Sequence, residues 1–426
     1  MIRTPVLRLG LVAVLAVGAV ACGGGEEGGV PVVRWYARDE AGEVFGAAIE
    51  DCNAAAEGRY RIELVPLPAN ADEQREQLVR RLAAEDADID LMNMDVPWTA
   101  EFANAGWIRP WPDDRVEAAT EGRLATSVET ATYDDTLYGI PLNANAQLLW
   151  YRSDLAEEAP ATWDAMLAEA DDLEAAGEPH VIWEQGQRYE GLVVWFTSLL
   201  ASAGGTILDE EGTRVTLEPE PTRRALEVMR AYSRSPHAPP ALATAQEDQG
   251  RQGWEGGDAA FMVNYGFVWP SANELAPDIA ATMAWGPFPS VEPDVPSKVA
   301  IGGFNIGIGA HGDHPDLAVE AATCLAGEDN QARNATDAGL LPVTEALYDD
   351  PAVAEAEKGG TPLFPYAAAM KEALSTAVLR PRTPYYNDVS LAIISILHPT
   401  AEIDPEAAVE RLRTAIAAAL KGEGLL

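Results

Sequence analysis

The chain has 426 residues and carries 29 Lys and Arg against 68 Asp and Glu, a net charge of −39 at pH 7. So acidic a surface repels nucleic acid and anionic lipid headgroups, which excludes both as partners. With 47% hydrophobic residues the chain can still bury large cores, so the charge reads as a solvated surface rather than as disorder, and the length fits two domains.

Residues 1–21 read as a secretory signal segment: Arg3 and Arg8 precede an apolar run from Leu9 to Ala21, which ends on small residues. The run is shorter than the roughly 20 residues of a spanning helix, so a retained transmembrane anchor is the weaker reading. Ala19-Val20-Ala21-Cys22 resembles a bacterial lipobox, whose cysteine is lipid-modified and becomes the new N-terminus; ordinary cleavage nearby is the alternative. Residues 22–29 would then be a flexible Gly-rich tether.

From Val32 the pattern alternates β-rich runs with helical periodicity. Strands are expected at Val32–Tyr36, Arg61–Leu67 and Ile89–Met94, and helices near Glu43–Ala56 and Asp72–Ala84. This is an α/β lobe, a sheet covered by helices. Two further runs, Leu137–Leu142 and Gln147–Arg152, flank a polar centre where a second lobe begins. That lobe is expected to hold a helix capped by Thr162, an apolar helix over Gly191–Ala203 and a hairpin turning through Asp209–Gly212. "GDAAFMVNYGFVWPS" reads as helix end, buried strand and aromatic loop. "VAIGGFNIGIGA" is strand-like, a helix runs from Pro315 through Cys324, and helical segments continue to the C-terminus. No repeat of 20 to 50 residues is present, which argues against a solenoid or propeller.

Apart from Cys22 the cysteines are Cys52 and Cys324, both on amphipathic helical segments of an exported chain. They form either a disulfide or two buried thiols that never meet. The five histidines are scattered, and the close pair His311 and His314 reads as a turn before a helix; no metal site or cofactor is expected.

Several stretches, taken in order and spacing, carry a family resemblance: the lipobox, "DIDLMNMDVPWTAEFANAGWI", "YGIPLNANAQLLWYR", "PATWDAML", "GWEGGDAAFMVNYGFVWPS", "IGGFNIGI" and "RPRTPYYNDVS". The chain resembles the extracellular solute-binding proteins of bacterial ABC importers, in the carbohydrate group that includes maltose- and trehalose-binding lipoproteins. The resemblance implies a two-lobed periplasmic-binding-protein fold, type II-like, each lobe a mixed sheet covered by helices with the ligand cleft between them. Residues 30–142 with about 302–358 would form the N-terminal lobe, and 143–301 with about 359–426 the C-terminal lobe. A bridge from Cys52 to Cys324 would then staple early and late pieces of the first lobe. The resemblance further implies a monomer, exported and lipid-anchored at the outer face of the cell membrane or in the periplasm. It would capture a neutral sugar by lobe closure and pass it to the transmembrane subunits of an ABC permease.

A sugar offers paired hydroxyls, which carboxylates and amides grip, and a weakly apolar ring face, on which aromatics stack. Asp95 stands at the carboxyl end of an apolar strand, where open α/β sheets place their ligands; capping the following helix is its alternative role. Asn143 and Asn145 flank the crossing between lobes, where family members present amides. Trp269 corresponds to a family aromatic that stacks on sugar, and Tyr265 and Trp254 are further aromatic candidates with core burial as the alternative. Gly303, beside Phe304, allows close backbone approach to a ligand. Asp39 or Glu40, after the first strand, could reach the cleft or simply complement a helix dipole. Arg380 or Arg382 could donate to sugar oxygens or to Asp95, or form an interlobe salt bridge.

The rival functions are an exported glycoside hydrolase, which needs two carboxylates about 5 to 9 Å apart, and a lipoprotein that presents its ligand to a sensor. No GxSxG elbow or HExxH helix is present. A phosphorylated ligand would call for several Arg or Lys or a helix N-terminus, so the neutral sugar is favoured, with a disaccharide such as trehalose or maltose first.

Overall fold

Period-two alternation in β1 (Val32–Arg38) sends Val33, Trp35 and Ala37 to one face and Tyr36 to the other, and both faces are buried in apolar clusters. A strand buried on both sides belongs inside a helix-covered sheet. The structure, a computed structural model, describes residues 29–38 and 44–423. The signal segment, Cys22, the tether up to Gly28, Asp39 and Glu40 lie outside the described residues.

β1 pairs in parallel with β2 (Arg61–Leu67) and with β3 (Leu91–Asp95), setting Trp35 opposite Leu91 and Tyr36 opposite Met92. Two helices make the crossovers: α1 (Val44–Ala55) and α2 (Ala71–Leu82). The start of α2 is fixed by Asn70, whose Oδ1 accepts from the backbone N–H of Asp72 at 3.0 Å and of Glu73 at 3.3 Å. β4 (Gly139–Asn145) and the much later β9 (Gly302–Ile308) complete a five-stranded sheet of order β2-β1-β3-β9-β4, with β9 antiparallel to both neighbours.

The second sheet begins at β5 (Leu148–Arg152) and gathers β6 (Val181–Trp183), β7 (Ala259–Asn264) and β8 (Met283–Gly286) in the order β8-β5-β7-β6. Around it pack α3 (Trp163–Ala176), α4 (Glu190–Ser202), α5 (Pro219–Arg234), α6 (Glu247–Glu255) and α7 (Val268–Leu275). The Thr162 cap is present, its Oγ1 accepting from Ala165 N–H at 3.1 Å. Every residue of α4 is buried; it is the apolar helix of the second core, where Trp195 meets Trp163 and Tyr232. The hairpin expected to turn through 209–212 is present but short: Leu208 bridges Val215, and Asp209 N–H donates to the Arg214 carbonyl and Thr216 N–H to the Ile207 carbonyl, each at 3.0 Å. Gly212 N–H closes the turn on the Asp209 carbonyl, with Asp209 Oδ1 also accepting from the N–H groups of Thr213 and Arg214. The aromatic loop expected after β7 is helical in α7, since Pro270 falls in the first turn, where a missing N–H does no harm.

Three crossings join the lobes: β4 into β5, 299–302 into β9, and the return near Leu341. They lie side by side, Ala144 bridging Gly303 on one side and Leu341 on the other. Gly303 sits at φ +120°, and a Cβ there would fall 2.1 Å from the Asn143 carbonyl oxygen, so only glycine fits this joint. From Leu341 the chain packs into the second core through Val343, Leu347 and Tyr348, earlier than the expected boundary near 358. The apolar spacing of those residues and the Ala144 bridge carry it across. Before that crossing, α8 (Pro315–Leu325) follows β9 within the first lobe and lies on α1, where Cys52 and Cys324 form a disulfide with α-carbons 5.9 Å apart. α9 (Tyr386–Leu397) and α10 (Pro405–Ala419) finish the second lobe, although Tyr386 at the head of α9 packs in the first-lobe cluster with Met92, Trp98 and Phe102. Among the described residues no helix is long and apolar enough to cross a membrane.

Candidate ligand cleft

Between the lobes lies a cavity of about 600 Å³, within the range of about 300 to 1,000 Å³ typical of small-molecule sites. The first lobe contributes Asp95 from the carboxyl end of β3, Asn145 from β4, Phe304 from β9 and the Asn70 cap of α2. The second contributes Tyr189 and Glu190 at the head of α4, Glu247 and Arg251 on α6, and Tyr265 and Phe267 after β7. The strand and helix ends converge here because the crossings bring the carboxyl end of β3 to face the N-terminus of α4.

On the floor, Arg380 joins the lobes. Its Nη1 and Nη2 donate to Asp95 Oδ2 and Oδ1 at 3.0 and 2.6 Å, and Nη1 also donates to Glu190 Oε1 at 2.7 Å. All three side chains are buried. Glu190 accepts two more hydrogen bonds, from the Tyr386 hydroxyl and from Ser390 Oγ at 2.6 Å. Burial holds the Glu190 carboxyl above its ordinary range while Arg380 pulls it down. Burial draws Arg380 toward deprotonation, but the carboxylates of Asp95 and Glu190 outweigh it and leave the guanidinium firmly charged. In the first turn of α2, Asp72 is pushed up to about 7, first by the desolvation that its packed neighbours impose and then by the charges of Glu190 and Asp95; the side chain is exposed, so solvent screens part of that push.

The structure brings Asp95, Asn145, Tyr265, Gly303, Phe304 and Arg380 together in this cavity. Arg382 lies elsewhere, paired with Glu129 of the first lobe at 2.8 Å, the interlobe salt bridge that was its alternative. Asn143, two residues before Asn145 on β4, is buried and does not line the cavity, and neither side-chain amide atom has a protein partner. Trp269 and Trp254 take core positions. The helical start of α7 turns Trp269 inward, edge-on to Trp285 at 5.6 Å with Nε1 donating to the Pro362 carbonyl at 2.9 Å, and leaves Phe267 and Pro270 to face the cavity. Trp254 is 1% exposed on the inner side of α6.

Sequence reasoning missed Glu190, Tyr189, Glu247 and Arg251. A signal for Glu190 exists in "RYEGLVVWF": an acid heads a helix with no solvated face, and a buried charge must find a partner.

A family model for "Bacterial extracellular solute-binding protein" matches residues 42–332. A protein of Deinococcus radiodurans named "Probable ABC transporter-binding protein" is 25% identical over 413 residues, spanning 92% of this chain and 94% of that protein. Among solved structures, maltose-bound T. maritima MalE3 matches with a TM-score of 0.81 and 27% identity over 92% of this chain and 99% of its own. The GacH receptor of Streptomyces glaucescens, solved unliganded and with acarbose, shares the fold at a TM-score of 0.77 and 20% identity, covering 92% of this chain and 98% of its own.

Proposed function

We propose, from the premise that this chain belongs to the bacterial extracellular solute-binding protein family, that it captures a neutral sugar in its interlobe cleft and delivers it to the permease of an ABC importer. The family and fold are those of solute-binding proteins and not of enzymes, which sets aside the glycoside hydrolase reading. One observation carries the sugar assignment: carboxylates, an amide and aromatic faces from both lobes converge on one cavity, in Asp95, Glu247, Asn145, Tyr265 and Phe304. Asp95 spends one lone pair per oxygen on Arg380 and keeps others for hydroxyl donors. The cavity's arginines are interspersed with acids, which disfavours a phosphate.

A disaccharide such as trehalose or maltose is the favoured ligand, supported by the cavity's size and by the maltose held in the T. maritima relative. A ligand that binds only the folded state at 100 times its Kd adds about 2.7 kcal/mol of stability, so a thermal-shift screen of mono- and disaccharides should show a clear rise with at least one of them. In calorimetry Asn145→Ala should weaken that sugar by about 1 kcal/mol. A rise confined to sugar phosphates would reject the neutral-sugar reading.

Cys22 is proposed as the lipid anchor, on the strength of the lipobox-like Ala19-Val20-Ala21-Cys22. Cys22→Ser should abolish acyl labelling in cells; undiminished labelling would move the anchor elsewhere.

A further inference from the structure

We propose a divalent transition-metal site, of the Zn²⁺ class, on the outer side of the second lobe, built by Glu174, His180 and His237. One ligand atom from each lies within 4.8 Å of the others. None of the three lines the sugar cleft. Glu174 stands on the last turn of α3, which Gly177 ends in a left-handed cap at φ +80°. The reversed chain leads through Glu178 and Pro179 to His180, directly before β6. His237 follows α5, and its carbonyl accepts from Ile182 N–H at 2.9 Å, which pins its loop to the same strand. The three ligands are thus held by backbone that is already hydrogen-bonded together.

Each ring is held by a hydrogen bond at one nitrogen, which leaves the other nitrogen available as a ligand. His180 Nδ1 lies 2.9 Å from the Glu178 carbonyl oxygen, so it carries the proton and leaves Nε2 with a lone pair. His237 Nε2 lies 2.8 Å from Asp171 Oδ1, one helical turn before Glu174; it donates there, and Nδ1 keeps the lone pair. That Nδ1 belongs to a side chain 1% exposed and has no protein partner. A carbonyl or carboxylate behind a ring N–H is the support metal-binding histidines ordinarily have, fixing tautomer and ring angle and raising ligand basicity. The two rings stand edge-on, with centroids 5.6 Å apart.

Two imidazoles and a carboxylate with an open position suit Zn²⁺ and its Cu²⁺ and Ni²⁺ neighbours, whereas Mg²⁺ prefers an all-oxygen shell. Bonds of about 2.0 to 2.1 Å put tetrahedral ligand atoms about 3.3 Å apart, so the set must contract. Glu174 is exposed and its side chain is free to swing inward.

The test is calorimetric titration of chelator-stripped protein with ZnCl₂, with MgCl₂ as the contrast. One equivalent of Zn²⁺ per chain is expected, with a rise in melting temperature and no response to Mg²⁺. His180→Ala and Glu174→Gln, both away from the buried core, should each lower Zn²⁺ affinity more than tenfold while keeping the metal-free melting temperature. Asp171→Asn, which removes only the charge behind His237, should lower it roughly 10-fold. Absence of a Zn²⁺ equivalent in the wild type, or one unchanged in His180→Ala and Glu174→Gln, overturns the site.

Discussion

Arg380→Met should destabilise the folded chain by about 3 to 5 kcal/mol at pH 8, the range for stripping one partner from a buried ion pair, and should weaken the sugar more than tenfold. Methionine fills much of the volume, but Asp95 and Glu190 are left facing each other without a cation between them. The loss has a pH signature. Burial already holds Glu190 above the ordinary carboxyl range, with Arg380 opposing it, so removing the arginine raises this carboxyl further. A carboxyl whose folded pKa exceeds its unfolded one binds more protons when folded, so stability falls as pH climbs from the ordinary carboxyl range through the raised value. The deficit against wild type should therefore be small near pH 4 and full at pH 8. Denaturant unfolding at the two values, with Arg380→Met/Glu190→Gln recovering part of the loss, checks it. A variant with wild-type stability and sugar affinity at pH 8 would show the triad to be a bystander.

The second large effect belongs to the disulfide. Cys52 and Cys324 are 272 positions apart, so their bond restricts an unfolded chain over most of its length. Cys52→Ser/Cys324→Ser should cost roughly 2 to 4 kcal/mol. Mass analysis after alkylation without reduction should find neither cysteine labelled in the wild type, and denaturant unfolding should move toward the variant's midpoint when reductant is added. Two labelled cysteines in unreduced protein would refute the bridge.

Much of the fold was legible because its signals are local. Arg61–Leu67 is a strand over the residues expected, and the helix at Pro315 runs as its proline and periodicity suggested. Asp95 was legible as a cleft residue because an apolar run followed by an acid describes the end of a buried parallel strand. What stayed hidden depends on pairing across distance. Arg380 and Arg382 are two residues apart and chemically identical, and only the third dimension gives one to Asp95 and the other to Glu129. Trp269 stands among residues that look like a loop, yet a helical turn rotates it into the aromatic cluster of Trp285 and Tyr366 and leaves Phe267 in its place. Glu190 failed for the opposite reason: its neighbours are so apolar that the segment reads as core, although that very surrounding obliges it to find a cation.

The position of β9 has a consequence for the order in which the protein comes into being. It is the strand between β3 and β4, yet it is synthesised last of the five, more than 150 residues after β4. Until it emerges, β3 and β4 are edges with no neighbour between them, and apolar residues such as Met92, Met94 and Ile140 lack their cover. The first lobe, though first from the ribosome, therefore cannot close its sheet until about residue 308 is available, and the partner of Cys52 arrives later still. The strand that locks the N-terminal third of the chain, like the cysteine that staples it, is therefore made only when most of the chain already exists.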